Sequence, residues 1–234
     1  MSGIVFELCA EGIEGCLAAQ AGGAHRIELC SALSEGGLTP SHALIEAAVR
    51  RSALPVYVML RPRGGGYVYS AAEFALMEAD LLHARALRVS GFVAGVLDAH
   101  GNVDRPRMRR LVELADGREV TFHRAFDETD DLDAALEHVI DCGCRRLLTS
   151  GGATDVETGA ERLRALQQRA AGRIAVAAGG GLRLRNARYV AATSGVEQFH
   201  GSVRHGPPES QVRAADVRAL IDELSSGSAA LKAD

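Results

Sequence analysis

Residues 4–30 read IVFELCAEGIEGCLAAQAGGAHRIELC, and the order of patterns within them decides the fold. Ile4–Cys9 is a short apolar run, Ile13–Ala21 carries small and apolar residues at helical spacing, and Arg26–Cys30 is a second short run. Strand, helix and strand in so short a stretch make a βα repeat, since parallel strands need a crossover between them. The alternation continues to the end of the chain. Further strands are expected near Val56–Arg61, Phe92–Leu97, Val120–His123, Arg146–Thr149, Ile174–Ala178 and Gln198–His200. Helices are expected near Ser41–Arg51, Ala71–Val89, Arg105–Ala115, Leu132–Cys142, Val156–Ala170, Leu184–Ala192 and Ala214–Ser225. Eight such units in 234 residues fit a (β/α)8 TIM barrel, typically about 250 residues long, better than a doubly wound sheet. Ile174-Ala175-Val176-Ala177-Ala178 has the uninterrupted apolar character of a strand covered on both faces. One α/β domain over residues 1–225 follows, and residues 226–234, small and polar, are expected to form a flexible C-terminal tail.

Composition narrows the function classes. The chain is 47% hydrophobic and 24% charged with a net charge of -4, and only 4% aromatic. Such a surface offers nucleic acid neither basic clusters nor stacking rings. No apolar run reaches the ~20 residues of a membrane span, and Glu7 interrupts the N-terminal segment early without a basic flank. A cytoplasmic protein with no membrane or nucleic-acid partner is the expectation. Five cysteines, with no CxxC pair, are expected to stay reduced.

Barrels place their chemistry at the C-terminal ends of the strands. Here the expected strand ends carry polar residues: Glu7 and Cys9, Glu28 and Cys30, Arg61 and Arg63, Asp98, His123 and Arg124, Thr149 and Ser150, His200 and Ser202. The tripeptide Glu-Leu-Cys closes both of the first two strands, at Glu7-Leu8-Cys9 and Glu28-Leu29-Cys30. Side chains two apart share a face, so two carboxylates and two thiols converge if the strands are neighbours. Buried Glu7 and Glu28 would need cations, and Arg61, Arg63 or Arg124 are the expected partners. The alternative is an ion-pair network that merely fills the top of the barrel.

Several segments together resemble one family. Glu35-Gly36-Gly37-Leu38-Thr39-Pro40-Ser41, Arg61-Pro62-Arg63-Gly64-Gly65, Thr121-Phe122-His123-Arg124-Ala125-Phe126-Asp127, Leu148-Thr149-Ser150-Gly151 and Gly179-Gly180-Gly181 are similar, in this order and spacing, to the CutC family, named for copper homeostasis. The resemblance runs from Val5 to about Ser202. It implies a TIM barrel, a cytosolic homo-oligomer (dimer or tetramer), and a role in copper binding and handling. Two departures weaken any metal site built on the third βα loop: Gly66 stands where relatives commonly carry Asp, and Val68 where some carry Cys. The loop after Ser202 is also short, so a lid or interface built from it would be missing.

Copper can be weighed on the residues themselves. Cu(I) prefers thiolates, and Cys9 and Cys30 on adjacent strands are the thiols placed to share an ion. A lone buried cysteine is more often an apolar filler. Cys142 and Cys144 flank Gly143 at the opposite end of the barrel and are expected to be structural. His123 and His200 could serve as ligands or as acid–base groups. A second reading points away from metal. Thr149, Ser150, Gly151, Gly179, Gly180, His200 and Ser202 follow the last strands, where barrels often bind phosphate, and Arg61, Arg63 and Arg124 suit an anion. The alternative function is therefore an isomerase- or lyase-like enzyme acting on an anionic, even phosphorylated, small molecule, with Glu7, Glu28, Asp98 or His123 as acid or base. Lys232 is the only lysine, so Schiff-base chemistry at the mouth is disfavoured. Equally, glycines after strands can do no more than make tight turns.

Overall fold

The computed structural model describes residues 3–204 and 211–231. Its strands are β1 (Val5–Ala10), β2 (Arg26–Leu29), β3 (Val56–Met59), β4 (Gly91–Ala94), β5 (Glu119–Phe122), β6 (Arg146–Thr149), β7 (Ala175–Ala178) and β8 (Gln198–Gly201). The helices are α1 (Ile13–Gly22), α2 (His42–Arg51), α3 (Ala71–Ala86), α4 (Arg105–Leu114), α5 (Leu132–Asp141), α6 (Ala160–Ala170), α7 (Leu184–Ser194) and α8 (Ala214–Leu231). The strands pair in sequence order, all parallel, and β8 closes onto β1 with Val5 opposite Gln198 and Glu7 opposite His200. The barrel expected from the alternation of patterns is the observed one.

Local signals explain where several helices begin. The Ser41 hydroxyl accepts the Leu44 N–H at the start of α2, and Ser70 forms a reciprocal capping box with Glu73 on α3. Asp104, just ahead of a proline, accepts the Arg107 N–H on α4, and Asp131 accepts two N–H groups on α5. Each cap satisfies amides that have no partner inside the helix, worth typically about 1 kcal/mol.

Alternation along the strands sorts the side chains. Phe6, Phe92, Phe122 and Phe199 point outward and are fully buried between barrel and helices, each contributing roughly 1.5–3 kcal/mol. The opposite face turns inward and is largely polar. Among those inward residues Cys9, Cys30, Met59 and Val93 form a small apolar cluster of their own.

Several boundaries differ from expectation. β3 stops at Met59 and β4 at Ala94, so Arg61, Arg63, Leu97 and Asp98 belong to loops. α6 starts at Ala160, not Val156, because Asp155 accepts the Glu157 and Thr158 amides and Val156 N–H bonds Gly180 carbonyl, holding residues 151–159 as a loop. The flexible tail expected from residue 226 is helix as far as Leu231. At Gly227 α8 lies so close to α7 that an added Cβ would sit 2.3 Å from Arg188 carbonyl oxygen. Residues 232–234, and most of the short loop after Ser202 (205–210), lie outside the described residues.

Candidate functional site at the barrel mouth

The inward faces of β1 and β2 bring the two Glu-Leu-Cys motifs together, and the register staggers them: Cys9 lies opposite Glu28, and Glu7 opposite Arg26. Two polar layers result. In the deeper one Glu7, fully buried, accepts Arg26 Nε and Arg146 Nη1, each at 2.6 Å, and meets His200 Nδ1 at 2.8 Å. Arg26 also pairs with Glu119 at 2.6 Å and lies 3.3 Å over the Tyr57 ring, while Arg146 Nε donates to Gln198 at 2.7 Å. Burial alone would raise the Glu7 pKa, but Arg146 and Arg26 outweigh it and hold the carboxyl well below the usual range. The expected partners Arg61, Arg63 and Arg124 are not the ones used. Arg61 and Arg63 sit on the loop after β3 and Arg124 opens a short 3-10 helix after β5, all beyond the strand ends, whereas Arg26 and Arg146 share the parity of the inward face.

One layer higher, Cys9 Sγ lies 3.5 Å from both Cys30 Sγ and Glu28 Oε1, and His200 Nε2 is 3.9 Å from Glu28 Oε1. Ligand atoms of Cys9, Glu28 and His200 all fall within 4.8 Å of one another. Glu28 Oε2 is buried without a partner. The hydrogen bond with Cys30, burial and the neighbouring Glu28 push the Cys9 thiol well above its ordinary pKa. Burial likewise raises Glu28. His200 would be lowered by burial, but the Glu28 and Glu7 carboxylates prevail and raise it. Because an ionised carboxylate can only accept, Glu7 fixes the proton on His200 Nδ1 and leaves Nε2 facing the thiol and Glu28.

His123 is buried on another wall. Its Nδ1 accepts the Ala125 N–H at 3.1 Å, so the ring proton is on Nε2, which has no partner. Burial and then Arg61 lower its pKa to about 3, so the ring is neutral. Gly95 makes room for it: a Cβ there would sit 2.5 Å from the imidazole. Arg61, 3% exposed, gives its guanidinium to the Glu35, Gly37 and Gly65 carbonyls and pairs with no carboxylate among the described residues.

A cavity of about 620 Å³ opens above these groups, lined by Cys9, Glu28, Arg61, Tyr67, His123 and His200, among others. Arg124, Gly180 and Ser202 also reach it. Arg63 does not. It pairs with Glu73 at 2.6 Å and binds the Gly66 and Val68 carbonyls, tying its loop to α3. Asp98 is likewise outside, accepting the His100 and Asn102 amides in a tight loop turn. Thr149 and Ser150 hydroxyls are taken by Asp127, which also accepts the Ser150 and Gly152 amides and pairs with Arg124 at 2.8 Å. Gly151 and Gly179 have backbone roles: a Cβ would meet Gly159 carbonyl at 2.7 Å and the Leu148 side chain at 2.6 Å respectively. Gly180 lets Arg124 lie against its loop. Asp127, Tyr67 and Gly95 were not singled out from sequence. Of these only Asp127 had a signal, as the last residue of the His-Arg-Ala-Phe-Asp run. Cys142 and Cys144 are buried in the apolar core and their pKa values are raised by that burial, as expected of structural thiols.

The described helices include none long and apolar enough to cross a membrane. Residues 4–205 match the model of the CutC family. A family protein CutC of Bacteroides thetaiotaomicron is 46% identical over 85% of this chain and 80% of its own length. Among solved structures, a protein of Streptococcus agalactiae named as a candidate copper homeostasis protein CutC aligns with a TM-score of 0.80 at 32% identity, covering 85% of this chain and 98% of that one. An aldolase named QR15 aligns at TM-score 0.67 and 15% identity over 94% of each chain, which shows the barrel alone.

Proposed function

This chain belongs to the CutC family, and on that premise we propose that its barrel mouth binds a thiophilic metal ion, copper as Cu(I), and so serves copper homeostasis. One observation carries the reading: Cys9 Sγ lies 3.5 Å from Cys30 Sγ and belongs with Glu28 and His200 to a group whose ligand atoms lie within 4.8 Å of one another. Two thiols and an imidazole are the donor set Cu(I) prefers, whereas a hard cation would want more oxygen than Glu28 alone supplies. The hydrogen bond from His200 Nδ1 to Glu7 is the support a metal-binding imidazole usually has, because it fixes the tautomer and leaves Nε2 as donor.

The raised Cys9 pKa gives the site its chemistry. The protein alone holds a protonated thiol at neutral pH, so binding must release protons and strengthen with pH. Glu28, hydrogen-bonded by Cys9 at 3.5 Å, can accept that proton on its way out. The test is an anaerobic Cu(I) titration against a chromophoric chelator, with wild type beside Cys9→Ser and Cys30→Ser. One-to-one binding lost in both variants supports the site. Weak binding that neither substitution changes sinks it.

A further inference from the structure

The metal reading uses Cys9, Cys30, His200 and their supports, and leaves the opposite wall of the cavity unexplained. Two groups there lack what buried polar groups normally have. His123 is 4% exposed, and its Nε2 has no hydrogen-bond partner. Arg61 is 3% exposed and makes no ion pair among the described residues, and its Nε has no partner. A buried cation is ordinarily matched by a carboxylate, and a buried N–H by an acceptor. Both residues line the cavity and both contact Tyr67: the Arg61 guanidinium carbon and the His123 ring centre each lie 5.0 Å from its ring. Gly95, where any Cβ would strike the imidazole, and the Ala125 amide, which fixes its tautomer, hold His123 in this pose.

We propose that the mouth of the barrel also binds a small organic carboxylate, one of whose oxygens accepts the His123 Nε2–H while the unpaired charge of Arg61 stabilises the anion. A volume of about 620 Å³ suits a small metabolite. The lining sets Arg61, Arg124 and Arg183 against Glu28, Asp127 and Glu128, and Arg124 is already paired with Asp127, so no surplus of positive charge is left to match the two charges of a phosphate. The hydrogen bond from a neutral imidazole suits a carboxylate or carbonyl oxygen, because it needs no proton transfer to form. Such a ligand supplies the acceptor and the counter-charge that the protein itself omits.

The test uses the metal-free, reduced wild-type protein, so that its result does not depend on the copper reading. The protein is labelled with 15N-histidine and titrated with sodium pyruvate, then separately with inorganic phosphate, in a low-salt buffer free of carboxylates. Saturable one-to-one binding of pyruvate that shifts the His123 Nε2–H resonance is the expected result. In a folded His123→Gln variant the affinity should fall about tenfold or more, the loss of one hydrogen bond to a charged acceptor. The wild-type resonance decides the matter if that variant does not fold. Pyruvate binding that leaves the His123 signal in place, or no saturable binding, overturns the proposal. Phosphate binding in preference to pyruvate overturns the assignment to a carboxylate.

Discussion

The two polar layers inside the barrel are built from the same residue types and differ in how far they are satisfied. In the deeper layer Glu7 spends its carboxylate on Arg26, Arg146 and His200, and Arg26 and Arg146 find Glu119 and Gln198 in turn. One atom, Arg146 Nη2, is left over. In the upper layer and the wall above it, Glu28 Oε2, His123 Nε2 and Arg61 Nε are all buried and unpartnered. A closed network specifies and holds a structure. An open one costs stability unless something outside the chain completes it. The upper groups line the cavity and the deeper ones, His200 apart, do not. Glu7 touches His200, and so links the satisfied layer to the layer proposed to meet a ligand.

The largest effect that would test this contrast is at Glu7. Glu7→Gln leaves Arg26 and Arg146 buried without their shared counter-charge, and should cost about 3–5 kcal/mol in urea unfolding. Glu28→Gln, in the open layer, should cost far less. Equal losses at both positions would erase the distinction between the layers. Next in size is Cys9→Ser, which should lower Cu(I) affinity beyond the roughly 10–100-fold typical of losing a group that only supports a ligand. His200→Gln and Glu7→Gln, if the latter folds, bracket that comparison from the ligand and the support side.

The two mouth histidines should also show opposite pH signatures in the metal-free protein. His123 has a folded pKa of about 3 against roughly 6.5 unfolded. Its contribution is therefore present above pH ~6.5 and lost as pH falls toward the folded value. His200 is raised, so its contribution is present below the same unfolded value and lost as pH rises through its folded pKa. The destabilisation caused by His123→Gln should shrink toward acid, and that caused by His200→Gln should shrink toward alkali. Unfolding curves from acid to mildly alkaline pH decide it, and parallel profiles would contradict the assigned environments. The smallest expected effect is Cys144→Ala, about 1 kcal/mol in stability with the copper titration unchanged. A change in metal stoichiometry there would mean the wrong thiol pair has been assigned.

Strand parity made part of this site legible in the sequence. Cys9, Glu28 and Cys30 meet because residues two apart on adjacent strands share a face and β1 and β2 are adjacent, while the stagger of their register leaves Glu7 in the layer below. The same parity failed beyond Met59 and Ala94, where β3 and β4 end. Arg63 and Asp98 therefore turned away into loop contacts, although their spacing suggested the mouth. The partners of Glu7 were not legible either. His200 and Arg146 lie 193 and 139 residues away, and nothing local to Glu7 selects them over the arginines of the mouth.

By itself the sequence determined the (β/α)8 architecture, the family, and the shared inward face that brings two thiols beside the Glu28 carboxylate. Those follow from periodicity, strand parity and short motifs, which are local properties of the chain. Only the tertiary structure decided which charges cancel and which are left open. Closing the barrel through β8 and β1 brings His200 between Glu7 and Glu28, and stacks a satisfied layer beneath an unsatisfied one. Burial and pairing depend on neighbours distant in sequence, so the division between groups that hold the fold and groups free to bind appears only when the ring of strands is complete.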